Sequence, residues 1–280
     1  MNYVVGPVQL SDIQEAREYM KGKLQPSPLV QLWEHKDIFL KLENLQPCGS
    51  FQLRGALNAI RKISIETLEL GVCTASTGNF AKCLAWVANN MDIRCNVLVP
   101  SHSPMNQLSA IEELRGNITK VELDEWWEAI ETHTYGVMQG KFIHAVCEPD
   151  VVAGVGTIGL EIVDCIPDIS NIIVPYGGGG LICGIAIAAK SHNPNIKVYA
   201  CATSGDSMSV EGSITSLQEV TDAVKLLSEG NHVRAEGAGA ASVAAAMKGV
   251  VGVGKTACII SGGNIDTDKY IQCLQGTVPI

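Results

Sequence analysis

The sequence predicts an α/β protein of two domains, each a mostly parallel twisted sheet flanked by helices. Two observations predict it. Short apolar runs such as Ile172-Ile173-Val174 alternate with longer stretches of helical period, the pattern of strand–helix–strand units. Several of these runs end in glycine clusters, and open parallel sheets bind ligands beyond the carboxyl ends of their strands. A chain of 280 residues, 46% hydrophobic and 18% charged, is large enough for this and too apolar for disorder.

Taken in order, Ser11 to Lys23 reads as a helix, with Ser11 as N-cap and Gln14 at the capping-box position. Ile38 to Leu42 reads as a strand. Phe51 to Ile63 reads as a helix entered through the turn Pro47-Cys48-Gly49-Ser50. Gly71 to Ala75 is a buried strand, Asn79 to Asn90 a helix and Cys95 to Val99 a strand. Met105 to Arg115 is helical, Ile118 to Val121 extended and Asp124 to Gln139 helical. Residues 45–145 form the expected smaller domain; 1–44 and 146–280 form the larger. Ile172 to Pro175 and Val198 to Ala202 are its buried strands, and Thr256 to Ser261 runs into a glycine-rich turn.

The net charge of −9 argues against nucleic acid and anionic membranes as partners. It leaves room for a small anionic ligand, because backbone N–H groups can ring a phosphate in an acidic protein. None of the 10 cysteines forms a CxxC pair. Buried reduced thiols in a cytoplasmic compartment are expected, with no metal site. The start, Met1 to Pro7, has no basic region followed by an apolar run, so no signal peptide is expected. Ile172 to Ala189 is uncharged and about as long as a membrane span, but Pro175 and the glycines favour a strand, a loop and a helix.

Four segments carry candidate chemistry. Gly177-Gly178-Gly179-Gly180 follows a strand and precedes the apolar Leu181-Ile182, which suits a phosphate cradle better than a plain turn. Ser76-Thr77-Gly78-Asn79-Phe80 leaves a strand and opens a helix. Its N–H groups and hydroxyls suit a carboxylate, although an ordinary N-cap explains it equally well. Ser261-Gly262-Gly263-Asn264 places a hydroxyl at a strand exit, where it can bond a heteroaromatic nitrogen without protonating it, although taken alone a simple strand-exit turn is the better reading. Glu236, in Arg234-Ala235-Glu236-Gly237-Ala238-Gly239, is either a surface charge at a helix start or a buried group beside a ligand.

These segments, with the stretch Lys41 to Ala56 centred on Gly49-Ser50-Phe51-Gln52, resemble the fold-type II pyridoxal-phosphate enzymes. The likeness is to the threonine/serine dehydratases and serine racemase, which share the fold of the tryptophan synthase β-subunit. It runs from about Pro26-Ser27-Pro28-Leu29 to Ser261-Gly262-Gly263-Asn264 and includes Asp150 to Glu161. It implies pyridoxal 5'-phosphate as cofactor, a small 3-hydroxy amino acid as substrate, β-elimination to a 2-oxo acid and ammonia, and a homodimer. By the resemblance, Gly177 to Gly180 and Leu181 hold the phosphate end. Asn79 meets the ring hydroxyl, Ser261 the pyridine nitrogen, and Phe51 packs near the ring beside Glu236. Ser76, Thr77, Gly78, Asn79 and Phe80 hold the substrate.

The chain departs from the family pattern in three places. Gln52 stands where the pattern has the lysine that holds the cofactor, and an amide can neither form a Schiff base nor act as general base. The stretch from about Ser209 to Thr221 is shorter than the pattern. Ala202 stands near the place of an acidic residue that begins a cation site in several relatives. Lys41 and Lys82 are the alternative lysines, and both read as structural or solvated. Thr77 keeps a hydroxyl where serine racemase resemblance expects serine, so dehydration is favoured over racemisation. Two alternatives stay open: a racemase of the same fold, and a non-catalytic protein that binds pyridoxal phosphate or an amino acid.

Overall fold

The computed structural model describes residues 7–103, 105–136, 138–203 and 212–279. Its strands, in chain order, are β1 (Leu29–Leu32), β2 (His35–Leu42), β3 (Val72–Ala75), β4 (Cys95–Pro100), β5 (Gly116–Val121), β6 (Lys141–Phe142), β7 (Asn171–Pro175), β8 (Lys197–Thr203), β9 (Gly212–Thr215) and β10 (Thr256–Ile260). They form two sheets. One has six strands in the order β1-β2-β10-β7-β8-β9, and the other has four in the order β5-β4-β3-β6. Every neighbouring pair is parallel except β1 and β2. Ile172, Ile173 and Val174 of β7 and Ala257 to Ile260 of β10 are fully buried, as strands at the centre of a helix-covered parallel sheet must be.

The expected strands are all present, and the strands absent from the sequence reading are β1, β6 and β9. Each of these three lies at a sheet edge. Edge strands have partners on one side only and need no run of consecutive apolar residues, so periodicity signals them weakly; of the four edges only β5 was expected. Several helix boundaries also differ; the helix expected to reach Arg115, for one, ends at Glu112. The first helix is Leu10–Met20 with Gln9 as N-cap, not Ser11. The Gln9 N–H donates to the Asp12 carboxylate at 2.8 Å, so an anion takes the position expected of Gln14's amide. The helix expected to reach Gln139 is Leu123–Thr132. His133 takes a left-handed φ of 57° there and turns the chain toward β6. The part of the shortened stretch at 209–211 lies outside the described residues.

The Gln52–Arg61 helix packs against the Pro149–Cys165 helix, which in turn packs against Gly180–His192. Glycines set these approaches. A Cβ on Gly154 would lie 2.5 Å from the Arg54 carbonyl oxygen, and one on Gly184 would lie 2.5 Å from that of Val152. Any larger residue would push the helix bearing Gln52 away from the large sheet.

A buried ion network pins the same helix. The Arg54 Nε donates to Glu43 Oε2 at 2.8 Å and its Nη1 to Glu161 Oε1 at 2.6 Å, while Nη2 reaches both carboxylates. Lys41 Nζ donates to Glu161 Oε2 at 2.5 Å and to the Ser27 carbonyl at 2.6 Å. Ser27 Oγ donates to Glu43. Burial alone would raise the Glu43 carboxyl, but Arg54, Lys41 and Ser27 outweigh it and hold the carboxyl below its ordinary range. Two cations face two anions, so the network is neutral and tolerable in the interior.

Candidate active site

The turn leading to Gln52 is tied to the exit of β10. The Phe51 N–H donates to the Ser261 carbonyl at 3.0 Å, and the Gly263 N–H to the Gly49 carbonyl at 2.9 Å. Gly49 supports this turn in a left-handed conformation, φ 72°. The lacing brings Phe51 and Gln52 beside Ser261 although more than 200 positions separate them in sequence.

Together they line a cavity of about 240 Å³. Asn79, Gly177 to Gly180, Leu181 and Glu236 line it as well, so the residues expected to face the cofactor converge there. Val146, Tyr176 and Ala238 are among the further lining residues and were not foreseen. They are apolar or aromatic residues with no local chemical signature.

Gly177 to Gly180 leave β7 and run into the Gly180–His192 helix. Gly179 has φ 91°, a left-handed conformation that favours glycine. A Cβ on Gly178 would lie 2.5 Å from Val146 Cγ1, and one on Gly180 would lie 2.7 Å from the Val146 carbonyl oxygen. A Cβ on Gly177 would project into open space. The result is bare backbone at a helix N-terminus, which favours an anion.

Opposite the glycines lies a chain of amides. Asn79 Nδ2 donates to Glu236 Oε1 at 2.8 Å. Asn264 Nδ2 donates to Asn79 Oδ1 at 2.7 Å, and Lys82 Nζ donates to Asn264 Oδ1 at 3.0 Å. Burial raises the Glu236 carboxyl, and the Asn79 amide, the Asn264 backbone and the Lys82 charge offset only part of that rise. Gln52 Oε1 is buried and has no hydrogen-bond partner among the described residues. Neither Lys82 nor Lys41 lines the cavity. Lys82 serves the amide chain, and Lys41 is 1% exposed in the ion network.

Ser76, Thr77 and Gly78 line a second cavity, of about 310 Å³. It shares Ala145, Val146 and Gly178 with the first, so the two adjoin. Phe80 departs from its expected place. Its side chain is 2% exposed in the apolar core with Leu84 and Leu57, and it lines neither cavity. Its position on the first turn of the Asn79–Asn90 helix directs it inward, where the helix must bury an apolar face.

The ten cysteines are free thiols, all buried except Cys165 and Cys183. Among the described residues, His133, His144 and Cys147 bring potential ligand atoms within 4.8 Å of one another. His144 Nδ1 accepts from the Val146 and Cys147 N–H groups at 3.0 and 3.1 Å. Ala202, the position where the resemblance would place a cation ligand, is buried in β8.

Residues 22–216 match the family model described as pyridoxal-phosphate dependent enzyme. The chain belongs to this pyridoxal-phosphate-dependent family. It is 35% identical to an L-threonine ammonia-lyase of Thermotoga maritima over 93% of this chain and 77% of that one. It is 33% identical to the catabolic L-threonine dehydratase of Escherichia coli over 95% of this chain and 96% of that one. The latter alignment runs over 316 positions against the 280 residues here, so the chain skips stretches its relative carries. Among solved structures, the serine racemase of Dictyostelium discoideum superposes with a TM-score of 0.80 at 30% identity, covering 92% of this chain and 99% of that one. A pyridoxal 5'-phosphate-dependent aspartate racemase superposes with a TM-score of 0.82 at 26% identity, covering 94% and 98%. The fold-type II architecture expected from the sequence is therefore the fold of this family. Among the described residues no helix is long and apolar enough to cross a membrane.

Proposed function

We propose that this chain carries the site of a pyridoxal-phosphate-dependent ammonia-lyase for small 3-hydroxy amino acids, in a form whose turnover is blocked at Gln52. The observation that supports it is the convergence of Gln52, Asn79, the glycine run, Glu236 and Ser261 on one cavity. Pyridoxal phosphate, when bound, supplies an electron sink for chemistry at the α-carbon of an amino acid. The residues present fit it: bare backbone at a helix N-terminus for the phosphate, and on the same cavity wall Gln52, whose buried amide oxygen has no partner among the described residues.

In this reading Gly177 to Gly180 bind the phosphate through their N–H groups, and Leu181 and Phe51 pack the apolar sides. Asn79 orients the ring edge, braced by Glu236 and Asn264. Ser261, a poor acid, holds the ring nitrogen without charging it. Ser76, Thr77 and Gly78 grip the substrate carboxylate. We read residues 45–145 and the remainder as two domains with the ligand between them, and the assembly as a homodimer.

Gln52 stands at the position of the cofactor-holding lysine. Its amide takes no proton at ordinary pH, so the α-proton has no acceptor there, and loss of a nucleophile or base costs several orders of magnitude in rate. The test compares the chain with Gln52→Lys after adding pyridoxal phosphate. Wild type should bind the cofactor without a borohydride-reducible adduct and release no ammonia from serine or threonine. Gln52→Lys should gain both the adduct, located by mass spectrometry on residue 52, and ammonia release. Ammonia release by wild type, or an adduct on Lys82, would overturn the block. A Gln52→Lys protein that binds no cofactor would overturn the site.

A further inference from the structure

The second cavity is larger than a serine or threonine side chain requires. We infer that the site takes 3-hydroxy amino acids bearing an aryl group on C3, of the 3-phenylserine class. This rests on the amino-acid site proposed above and names its substrate more narrowly.

Volume is the first argument. The cavity measures about 310 Å³, whereas an apolar cavity of about 150 Å³ already accommodates benzene. With the amino-acid head at Ser76 to Gly78, a hydroxymethyl or hydroxyethyl group would leave the aromatic wall uncovered, whereas a ring would bury it.

The walls are aromatic and held in place. Trp126, Trp127 and Ile130 come from the Leu123–Thr132 helix, and Phe142 from β6. Trp126 Nε1 donates to the Leu98 carbonyl at 3.1 Å, which fixes its ring. The Trp126 and Trp127 rings meet edge-on at 4.7 Å. His144 adds a fourth ring, held by its Nδ1, which accepts from the Val146 and Cys147 N–H groups. No Asp, Glu, Lys or Arg lines it among the described residues, so beyond the carboxylate turn the space suits an uncharged, flat group.

One polar atom points to a ligand independently. Thr74 lines this cavity, and its Oγ1 is buried with no hydrogen-bond partner among the described residues. Thr74 is 1% exposed. Leaving a buried hydroxyl unpaired is unfavourable, and a ligand that pairs with it recovers that loss. Thr74 lies on β3 two residues before Ser76, on the strand that delivers the carboxylate-gripping turn. The polar head of an amino acid at that turn is within one pocket of both Thr74 and the aromatic walls. Val146 and Gly178, common to both cavities, mark where a C3 substituent passes between them.

The experiment is calorimetric titration of the purified chain with L-serine, L-threonine and L-3-phenylserine, first without and then with pyridoxal phosphate. Phenylserine should bind at least about tenfold more tightly, the value of burying one ring. Ile130→Trp, which narrows the cavity, should bring the ratio of phenylserine to serine affinity down toward one. Trp127→Ala, at an exposed wall position, should lower the same affinity ratio several-fold. Binding of serine and threonine as tight as phenylserine, or a preference unchanged in both variants, overturns this inference alone. Failure of all three amino acids to bind overturns the amino-acid site itself and this inference with it.

Discussion

Gln52 and Arg54 occupy the same turn of one helix and face opposite conditions. Every guanidinium nitrogen of Arg54 donates to Glu43, Glu161 or Thr157. Two residues earlier, the Gln52 amide oxygen is equally buried and has no partner among the described residues. One side of the helix is completed by the protein itself. The other side leaves a polar atom unpaired where the glycine run, Asn79 and Ser261 converge. The contrast separates a group that holds the fold from a group that faces a ligand, although both are polar and buried.

Breaking the completed side should have the largest effect. Arg54→Met removes the main counter-charge of Glu43 and should cost about 3–5 kcal/mol, the usual penalty for orphaning a buried charge. Urea denaturation measures it. The sign of the pH dependence should reverse as well. In wild type the Glu43 carboxyl is held below its ordinary value of 4.5, so its contribution to stability is present above that value and lost as pH falls. Without Arg54, burial dominates and favours the protonated acid. The variant's deficit should then shrink as pH is lowered from 7 toward 5. A deficit independent of pH would show that Glu43 is not the group left stranded.

A change at the ligand-facing side should have an intermediate effect. Gly178→Ala would place a Cβ 2.5 Å from Val146 Cγ1. The strain should cost about 1–3 kcal/mol in a melt and weaken pyridoxal phosphate binding measured by fluorescence. Loss of stability with unchanged binding would remove the glycine run from the site.

The smallest effect sharpens the comparison most. Gln52→Leu removes the unpaired amide at nearly constant volume. In the absence of any ligand it should raise stability by up to about 1 kcal/mol, because no hydrogen bond is lost and a desolvation penalty disappears. A clear destabilisation would mean that the Gln52 amide already has a structural role, like Arg54.

Much of this was legible in the chain. Central strands such as Ile172–Val174 announce themselves because burial on both faces demands consecutive apolar residues. The glycine run announces itself because a helix N-terminus stripped of side chains suits an anion. The edge strands β1, β6 and β9 did not, since half of each is free of that demand. Phe80 was assigned to the substrate by its place in a motif, but helical phase turns its side chain into the core.

The second cavity was the least legible feature. Its wall residues Thr74, Trp126, Ile130 and Phe142 carry no common motif, and none is remarkable where it stands in the sequence. The chain by itself determined the chemistry at each point: an amide at position 52, a hydroxyl at position 261, bare backbone at 177–180. Those properties are local, belonging to a residue and its immediate neighbours. Tertiary structure decided which of them meet. It divided the expected ligand residues between two adjoining cavities and paired Lys41 with Glu161 across 120 positions. Such distances follow from how closely helices approach, at Gly154 and Gly184 for instance, and close packing is a property of the whole fold.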